Sequence, residues 1–142
     1  MPADAVAINE VLIAAGVAAW GGFLGAERIE IANRGRTHPA DLVVVDGEGV
    51  LAFVAWDVAT GEILRLYTHP RGWGQGAGGA LLERALAALR RAGCTRAWLN
   101  TEERNVQARR FYEHRGWRPE GPVRDRLWHG ARLREPRYVI DL

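Results

Sequence analysis

Residues 62–79 read EILRLYTHPRGWGQGAGG, with branched and aromatic residues in the first half and glycines in the second. The first half is typical of a β-strand, which Pro70 ends, and helical periodicity begins just after Gly78. Glycines between a strand and a helix let an anion approach the backbone N–H groups, and the new helix adds unpaired donors and its positive dipole end. The segment therefore predicts a turn that holds a diphosphate.

The chain has 142 residues, which is enough for one domain with one hydrophobic core. Its 48% hydrophobic and 25% charged residues are typical of a soluble globular protein. All 19 basic residues are arginines and the net charge is only +2, so a nucleic-acid partner is not expected. One cysteine, Cys94, excludes an internal disulfide and a multi-cysteine metal site. With no basic leader and no membrane-length apolar run, the sequence predicts a cytoplasmic protein without a membrane span.

Two helices are predicted before the first strand. Asp4 can cap a helix with apolar residues spaced three and four apart, and Gly21 and Gly22 are expected to break it. A second, shorter helix is predicted for residues 24–33, although its middle alternates like a strand. Residues 33–39 indicate an exposed connector that could border a substrate cleft.

The next part of the chain predicts three consecutive antiparallel strands. Apolar runs at residues 42–45 and 50–56 are separated by residues 46–49, which carry a hairpin signal. A second turn at residues 57–61 leads into the strand that begins at residue 62.

The helix after the glycine turn is amphipathic and is expected to end at Gly93. Residues 97–99 predict a buried strand, which must run parallel to the strand at residue 62 because a helical crossover joins them.

Another helix is predicted from Asn105 to Gly116. The tail alternates around residues 123–128 and again at residues 138–142, which predicts a closing hairpin.

Three motifs follow one another at fairly specific spacing. They are Leu66-Tyr67-Thr68-His69-Pro70, then Arg71-x-x-Gly74-x-Gly76 leading to Leu81-Leu82, then Asn105-x-x-Ala108-x-x-Phe111-Tyr112-Glu113-x-x-Gly116-Trp117. In this order they resemble the GNAT family of acyl-CoA-dependent N-acyltransferases, and the resemblance spans most of the chain. It implies a single α/β (α+β) domain over residues 1–142, with a mixed, mostly antiparallel sheet and helices on both faces.

Family members usually open with a short strand, which is apparently missing here because the sequence begins at a helix. The strand at residues 42–45 would then form a sheet edge, and an exposed edge invites pairing. We expect a partner subunit, as in a homodimer, or the N-terminal residues to cover this edge.

The resemblance implies an N-acetyltransferase that uses acetyl-CoA as co-substrate and acetylates a primary amine of a small molecule or peptide by direct attack. Glu62 resembles the base that many members use, usually through water, and the Tyr112 hydroxyl would be the general acid near the sulfur. Some relatives carry their acidic residue where this chain has Asn100, and an amide cannot act as a base. The implied coenzyme-binding residues are Leu66, Tyr67, Thr68, Arg71, Gly72, Trp73, Gly74, Gln75, Gly76, Ala77, Asn105 and Tyr112.

Each of these assignments competes with a purely structural role. Glu62 could be a solvated residue at the start of a strand, and Tyr112 could be a core tyrosine with a capped hydroxyl. Asn105 is a good helix N-cap, which is compatible with binding the pantetheine arm. Arg71 alone would be an exposed loop arginine, and Trp73 is expected to pack against its own turn.

Two other functions stay open. Gly74, Gly76 and Gly79 also satisfy the dinucleotide-binding pattern G-x-G-x-x-G, with Glu102 as the ribose acid, although the preceding segments predict hairpins rather than βαβ units. The chain could also be a non-catalytic acyl-CoA-binding sensor.

The remaining polar residues give weaker signals. The four histidines show no ligand spacing, so no metal site is predicted. The amine acceptor cannot be identified, because residues 20–40 and the final hairpin would shape its site. Arginines near the C-terminus could steer an anionic substrate or the nucleotide phosphate, or could form the wet face of the terminal hairpin. They are Arg118, Arg124, Arg126, Arg132, Arg134 and Arg137.

Overall fold

The computed structural model describes residues 2–33, 40–46 and 48–142. Its helices are α1 (Pro2–Leu24), α2 (Ala26–Asn33), α3 (Ala77–Arg91) and α4 (Val106–Glu113), and a 3₁₀ turn spans Pro70–Gly72. Its strands are β1 (Leu42–Asp46), β2 (Gly49–Asp57), β3 (Glu62–Thr68), β4 (Arg96–Asn100), β5 (Arg118–Pro119), β6 (Arg124–Trp128), β7 (Ala131–Glu135) and β8 (Arg137–Asp141).

Six strands of the described chain form one sheet in the order β1-β2-β3-β4-β8-β5. Neighbouring strands are antiparallel except β3 and β4, which are parallel because α3 joins them as a crossover. In the turn between β2 and β3, the Gly61 N–H donates to the Asp57 carbonyl over 2.8 Å. The predicted mixed, mostly antiparallel sheet of an α/β (α+β) fold is therefore confirmed.

Helices cover both faces of the sheet, as predicted. On one face α3 packs against Ala52 and Val54 of β2, and on the other face α1 packs against Phe53. Strand β2 is therefore buried on both sides, which explains its continuous apolar run. A buried leucine contributes roughly 1.5–3 kcal/mol, so the buried stripe of α3 fixes this helix on the sheet. That stripe consists of Leu81, Leu82, Ala85, Leu86 and Leu89.

The prediction that Gly21 and Gly22 break the first helix is wrong. Helix α1 continues to Leu24, and Gly25, with φ 85°, separates it from α2. A glycine inside a helix costs about 1 kcal/mol relative to alanine, and the buried contacts of Leu24 outweigh that cost. The second helix exists, but it begins at Ala26.

The predicted closing hairpin is also wrong in its pairing. The strand at residues 124–128 pairs with β7 in a separate two-stranded sheet, and the final strand β8 lies between β4 and β5. Strand β7 reads ARLRE, in which two exposed arginines alternate with buried residues. The arginines make this half-buried strand difficult to recognise from the sequence.

Two predicted segments lie outside the described residues. The exposed connector predicted at residues 33–39 lies outside them except for Asn33, and so does Gly47 of the first hairpin turn. Within the described part, the Asn9 side-chain amide donates to the Asn33 carbonyl over 2.9 Å, which ties α2 to α1.

Candidate active site

The site is a cleft that opens where β3 and β4 separate. Among the described residues these strands pair only at Glu62 and Trp98, and beyond that point the backbone edge of β3 has no strand beside it. The cleft has a volume of about 590 Å³ and is lined by α1, β3, the glycine turn, α4 and the hairpin of β6 and β7. A parted strand pair exposes backbone N–H and C=O groups, to which an extended amide-containing ligand can bind.

The glycine turn closes one end of the cleft, and several of its amides are used within the turn itself. The Arg71 N–H donates to His69 Nδ1 over 3.1 Å, and the Gly72 N–H donates to the His69 carbonyl over 2.8 Å. The Trp73 and Gln75 N–H groups donate to the carbonyls of Pro70 and Gly72. These four amides are therefore not available to an anion.

The next amides of the turn have no hydrogen-bond partner within the described chain. They belong to Gly74, Gly76, Ala77 and Gly78, at the start of α3. Gly74 and Gly76 have φ of 77° and 86°, and a β-carbon on either would point into open space. Unpaired donors at a helix N-terminus attract an anion, so this end of the cleft is suited to a phosphate.

The structure brings most of the residues proposed from the sequence to this cleft. Those that line it are Glu62, Leu66, Tyr67, Thr68, Gly72, Trp73, Gly74, Gly76, Ala77, Asn105 and Tyr112. The side chains of Arg71 and Gln75 are placed elsewhere: Arg71 donates to the Val50 carbonyl and pairs with Glu48, and Gln75 donates to the Arg71 carbonyl. Both side chains therefore stabilise the turn rather than face the cleft.

Trp73 connects the turn to the strand end, because its indole N–H donates to the Thr68 carbonyl over 2.8 Å. On α4, the Asn105 side chain accepts a hydrogen bond from the Ala108 N–H over 3.2 Å, so it caps the helix while it lines the cleft. The structural roles foreseen for Trp73 and Asn105 are therefore present alongside their position at the cleft.

Tyr112 is a core residue whose side chain also reaches the cleft. Its ring packs at an angle against Trp117, with centroids 5.5 Å apart, and it belongs to the main hydrophobic core. Burial raises the pKa of Tyr112 well above that of an ordinary tyrosine. The hydroxyl is therefore protonated throughout the neutral range and can donate a hydrogen bond.

Glu62 begins β3 and is half-buried in the cleft wall. Burial raises the pKa of this carboxyl, and Arg124 opposes the rise. Asn100 lies on the neighbouring strand, where its amide donates to the Glu135 carbonyl over 3.3 Å. Within the cleft, Glu62 is thus placed to accept a proton, and Asn100 has no carboxylate to do so.

The hairpin supplies charged residues for which the sequence left two roles open, steering an anionic substrate or forming the wet face of a hairpin. Arg124 and Arg126 both bind the buried carboxylate of Glu135, Arg124 over 3.1 Å, and all three residues line the cleft. Their shared direction follows from the alternation of β6, which puts residues 124 and 126 on one face. This alternation is visible in the sequence, but the predicted partner of the strand, residues 138–142, was wrong, because β6 pairs with β7.

Arg65 and Tyr67 of β3 belong to the same region. Burial raises the pKa of Tyr67, and Glu135 adds to the rise, while Arg65 and Arg126 oppose it. No ion pair of Arg65 is present among the described residues.

Arg115 was also missed. Its guanidinium lies 3.9 Å from the centre of the Phe111 ring, one helical turn earlier, and it lines the cleft. A β-carbon on Gly79 would lie 2.6 Å from an Arg115 nitrogen, so the guanidinium sits beside the first turn of α3. It adds positive charge next to the unpaired amides.

Glu102 does not fit the ribose-binding role of a dinucleotide module. It is 3% exposed, and its carboxylate accepts hydrogen bonds from the Arg104 backbone and side chain and from the Arg134 N–H. These bonds hold the loop after β4, and they lower the pKa of Glu102 against the effect of burial.

Across residues 2–33, 40–46 and 48–142, no group of three or more histidine, cysteine, aspartate or glutamate side chains could hold a metal ion. In that same part of the chain, no helix is long and apolar enough to cross a bilayer.

Comparison with known sequences gives a family. A sequence model of the acetyltransferase (GNAT) family matches residues 16–117, more than half of the chain. The mycothiol acetyltransferase of Beutenbergia cavernae is 45% identical over 82 residues, which cover 55% of this chain and 28% of that protein. An uncharacterized N-acetyltransferase of Mycobacterium tuberculosis is 36% identical over 66 residues, which cover 46% and 42%. The chain thus spans less than half the length of these relatives.

Solved structures agree in fold. A GCN5-related N-acetyltransferase of Rhodopseudomonas palustris superposes with a TM-score of 0.80 at 16% identity, covering 100% of this chain and 92% of the other. The PaiA N-acetyltransferase of Thermoplasma acidophilum, solved in complex with coenzyme A, gives 0.74 at 18% identity, covering 95% and 92%. The family match and this shared architecture together show that the chain belongs to the GNAT family of acetyltransferases.

Proposed function

We propose that this protein is an N-acetyltransferase that moves an acetyl group from acetyl-CoA to a primary amine of a small molecule or peptide. The observation that carries the proposal is that one cleft is lined by the unpaired amides of the glycine turn, by Glu62 and by Tyr112. A non-catalytic sensor would need the amides but not a carboxylate and a protonated hydroxyl beside them.

Coenzyme binding is assigned to groups of the glycine turn and its neighbours. The amides of Gly74, Gly76, Ala77 and Gly78 would hold the pyrophosphate, and Arg115 would add a charge-assisted contact. The open edge of β3 would bind the amides of the pantetheine arm, with Asn105 beside them. This assignment replaces Arg71 to Gln75 of the sequence-based set, apart from Gly74, because their amides are already bonded.

In the proposed reaction, the amine attacks the thioester carbonyl carbon directly, a C–N bond forms and the C–S bond breaks. Glu62, directly or through water, accepts the proton that the amine loses. Tyr112 donates a hydrogen bond to the departing sulfur, which takes up its proton. Because a thiol has a pKa of about 8.5, below that of the buried Tyr112, full proton transfer is uphill even after the C–S bond has broken, and the tyrosinate recovers its proton from solvent.

The test is incubation with acetyl-CoA and a broad panel of primary amines, with release of free thiol and product mass as readouts. We expect amine-dependent thiol release that Glu62→Gln and Tyr112→Phe reduce, while both variants keep their affinity for CoA in calorimetry. The variants separate a catalyst from a sensor. CoA binding without acetylation of any amine would identify a sensor, and absence of CoA binding would contradict the proposal altogether.

The relatives' names do not select an acceptor. The relative from Beutenbergia cavernae is named for mycothiol, which favours a small molecule, but the match covers only 28% of that protein. The panel therefore contains peptides as well as small amines. A cytoplasmic location and a homodimer stay predictions from the sequence.

A further inference from the structure

The half of the cleft opposite the glycine turn is rich in arginine. Arg65 comes from β3, and Arg124 and Arg126 come from β6, and together with Glu62 and Glu135 they line the same cleft. Glu102 also lines the cleft, but its carboxylate is bonded to Arg104 and to the Arg134 N–H, so the three guanidiniums share the carboxylates of Glu62 and Glu135. This is unusual for a site that must admit an amine, because a positively charged wall repels an ammonium group.

The packing of the β6–β7 hairpin directs Arg124 and Arg126 into the cleft. Its inner face carries Trp128, Ala131 and Leu133 at one end, and these residues pack against Leu24 and Ile29 of the N-terminal helices. The register pairs Arg124 with Glu135 and Arg126 with Leu133, so both arginines lie on that same inner face. The apolar contact fixes the hairpin, and the polar end of the face meets the cleft.

Glu135 does not neutralise both arginines. One of its oxygens accepts from the Arg124 and Arg126 guanidiniums, and the other accepts from Arg126 over 3.3 Å. Its side chain is only 9% exposed, so the carboxylate is held between the two guanidiniums. One positive charge of this triad stays uncompensated, and Arg65, which has no ion pair in the described part of the chain, adds another.

We propose, on the basis of the proposed function, that the acceptor is a small primary amine that also carries an anionic group, bound by Arg65, Arg124 and Arg126 while its nitrogen lies near Glu62. Guanidinium groups bind carboxylate, sulfonate and phosphate oxygens through charge-assisted hydrogen bonds, and paired guanidiniums give such a group a defined orientation. Glu62 is the remaining carboxylate of the wall, because Glu135 is occupied, and it attracts the amine. The anionic group of a zwitterionic acceptor would thus lie beside the arginines, and its amine would lie beside Glu62.

The test compares matched acceptors by kcat/KM. β-Alanine presents a carboxylate and is compared with β-alaninamide, and phosphoethanolamine presents a phosphate and is compared with ethanolamine. Taurine presents a sulfonate. The two comparison compounds are neutral apart from the amine. We expect at least one anionic amine to exceed its neutral counterpart about tenfold or more, and the three anions show which group the arginines prefer. Equal or greater rates with the neutral amines would overturn the inference while the proposed function stands.

Variants tie the preference to the site. Arg65→Gln and Arg124→Gln should each lower the anionic-to-neutral ratio about tenfold, toward equal rates, because each removes one charge-assisted contact. Arg132→Gln is the matched control, because Arg132 lies on the outer face of the same hairpin and is 79% exposed. Arg65 has no ion pair to lose, and Glu135 keeps Arg126 in the second variant, so unchanged melting temperatures are expected. An unchanged ratio in both variants contradicts the proposal.

A binding measurement keeps the inference testable if no amine is acetylated. Calorimetry of β-alanine and phosphoethanolamine with CoA-saturated protein should detect binding that Arg65→Gln weakens and Arg132→Gln does not. Absence of binding by either compound overturns the inference, whereas thiol release tests the proposed function separately.

Discussion

Tyr112 has one side chain in two environments, since its ring lies in the core and its hydroxyl end lies at the cleft. Burial raises its pKa, so the phenol stays protonated at neutral pH and donates without first collecting a proton. The same burial weakens it as a proton donor, because its conjugate base is stronger than a thiolate.

Removal of this hydroxyl gives the first prediction. We expect Tyr112→Phe to lower kcat/KM about a hundredfold, near the lower end of the range for general acid catalysis, because the proton transfer is uphill. Tyr67→Phe is a matched control that removes a hydroxyl from another tyrosine of the cleft. Thiol-release kinetics measure both. An equal loss in the two variants would remove the special role of Tyr112.

Glu62 gives the second prediction through its raised pKa. As the pH falls through that pKa, Glu62 becomes protonated and cannot accept a proton, so kcat/KM should fall. Glu62→Gln should remove this acidic limb of the pH profile and lower kcat/KM about a hundred- to ten-thousandfold. A pH profile of the variant that keeps the limb assigns it to another group.

The stability of the Glu62→Gln variant gives the third prediction. The folded protein binds this proton more tightly than the unfolded chain, so the contribution of Glu62 is fully present below its unfolded pKa and is lost as the pH rises through the folded one. The variant should therefore melt at the same temperature as the wild type at pH 4, and at the same or a higher temperature at pH 7. A lower melting temperature at pH 7 would reveal a structural role for the carboxylate.

At the scale of elements, the glycine turn is the feature on which coenzyme binding depends. The amides of residues 71–73 and of Gln75 are bonded within the turn. Within the described chain, the amides of Gly74, Gly76, Ala77 and Gly78 are left for a ligand. The sequence motif alone does not distinguish the amides of residues 71–77 from one another. The bonded and unpaired amides differ because the N–H groups of the 3₁₀ turn at Pro70–Gly72 and of Trp73 donate within the turn.

The fourth prediction separates backbone strain from binding at this turn. Gly76→Ala puts a β-carbon on a residue with φ 86°, which costs about 1–2 kcal/mol, and it should weaken CoA binding. Gly93→Ala imposes the same strain at φ 91° after α3, away from the cleft. We expect similar losses of melting temperature in both variants, and weaker CoA binding in calorimetry only for Gly76→Ala. Equal affinities of the Gly76→Ala and Gly93→Ala variants for CoA would show that the glycine turn does not bind the coenzyme.

At the scale of the whole molecule, β1 is an edge strand of the described sheet, and Val43 on it is 43% exposed. In the described residues helix α1 packs over the sheet face at β2 rather than along this edge, and an edge strand is a template for pairing with a second copy. We predict a homodimer through this edge, measured by size-exclusion chromatography with light scattering.

A substitution at the edge tests this fifth prediction. In antiparallel pairing about a two-fold axis, Val43→Arg brings like charges near each other, and the variant should be monomeric. Val58→Arg makes the same change in the exposed turn that follows β2 and should leave the dimer intact. A wild-type monomer contradicts the prediction.

Much of the fold was predictable because its signals are local. The periodicity of α3, the hairpin turns of β1 to β3 and the crossover between β3 and β4 all depend on neighbouring residues or on handedness. The errors concern long-range choices. Whether Gly21 and Gly22 end a helix depends on what Leu24 packs against, and the partner of residues 124–128 depends on which strand fills the sheet beside β4.

The sequence by itself determined the family pattern, the glycine turn and the candidate residues Glu62 and Tyr112, because each rests on residue type and spacing along the chain. Only the tertiary structure decided which amides of the turn are unpaired, that Arg71 points away, and that Arg65, Arg124 and Arg126 meet beside Glu62. Arg65 is about sixty residues away from Arg124 and Arg126, and only the packing of the hairpin against the N-terminal helices and the divergence of β3 from β4 bring them to one cleft.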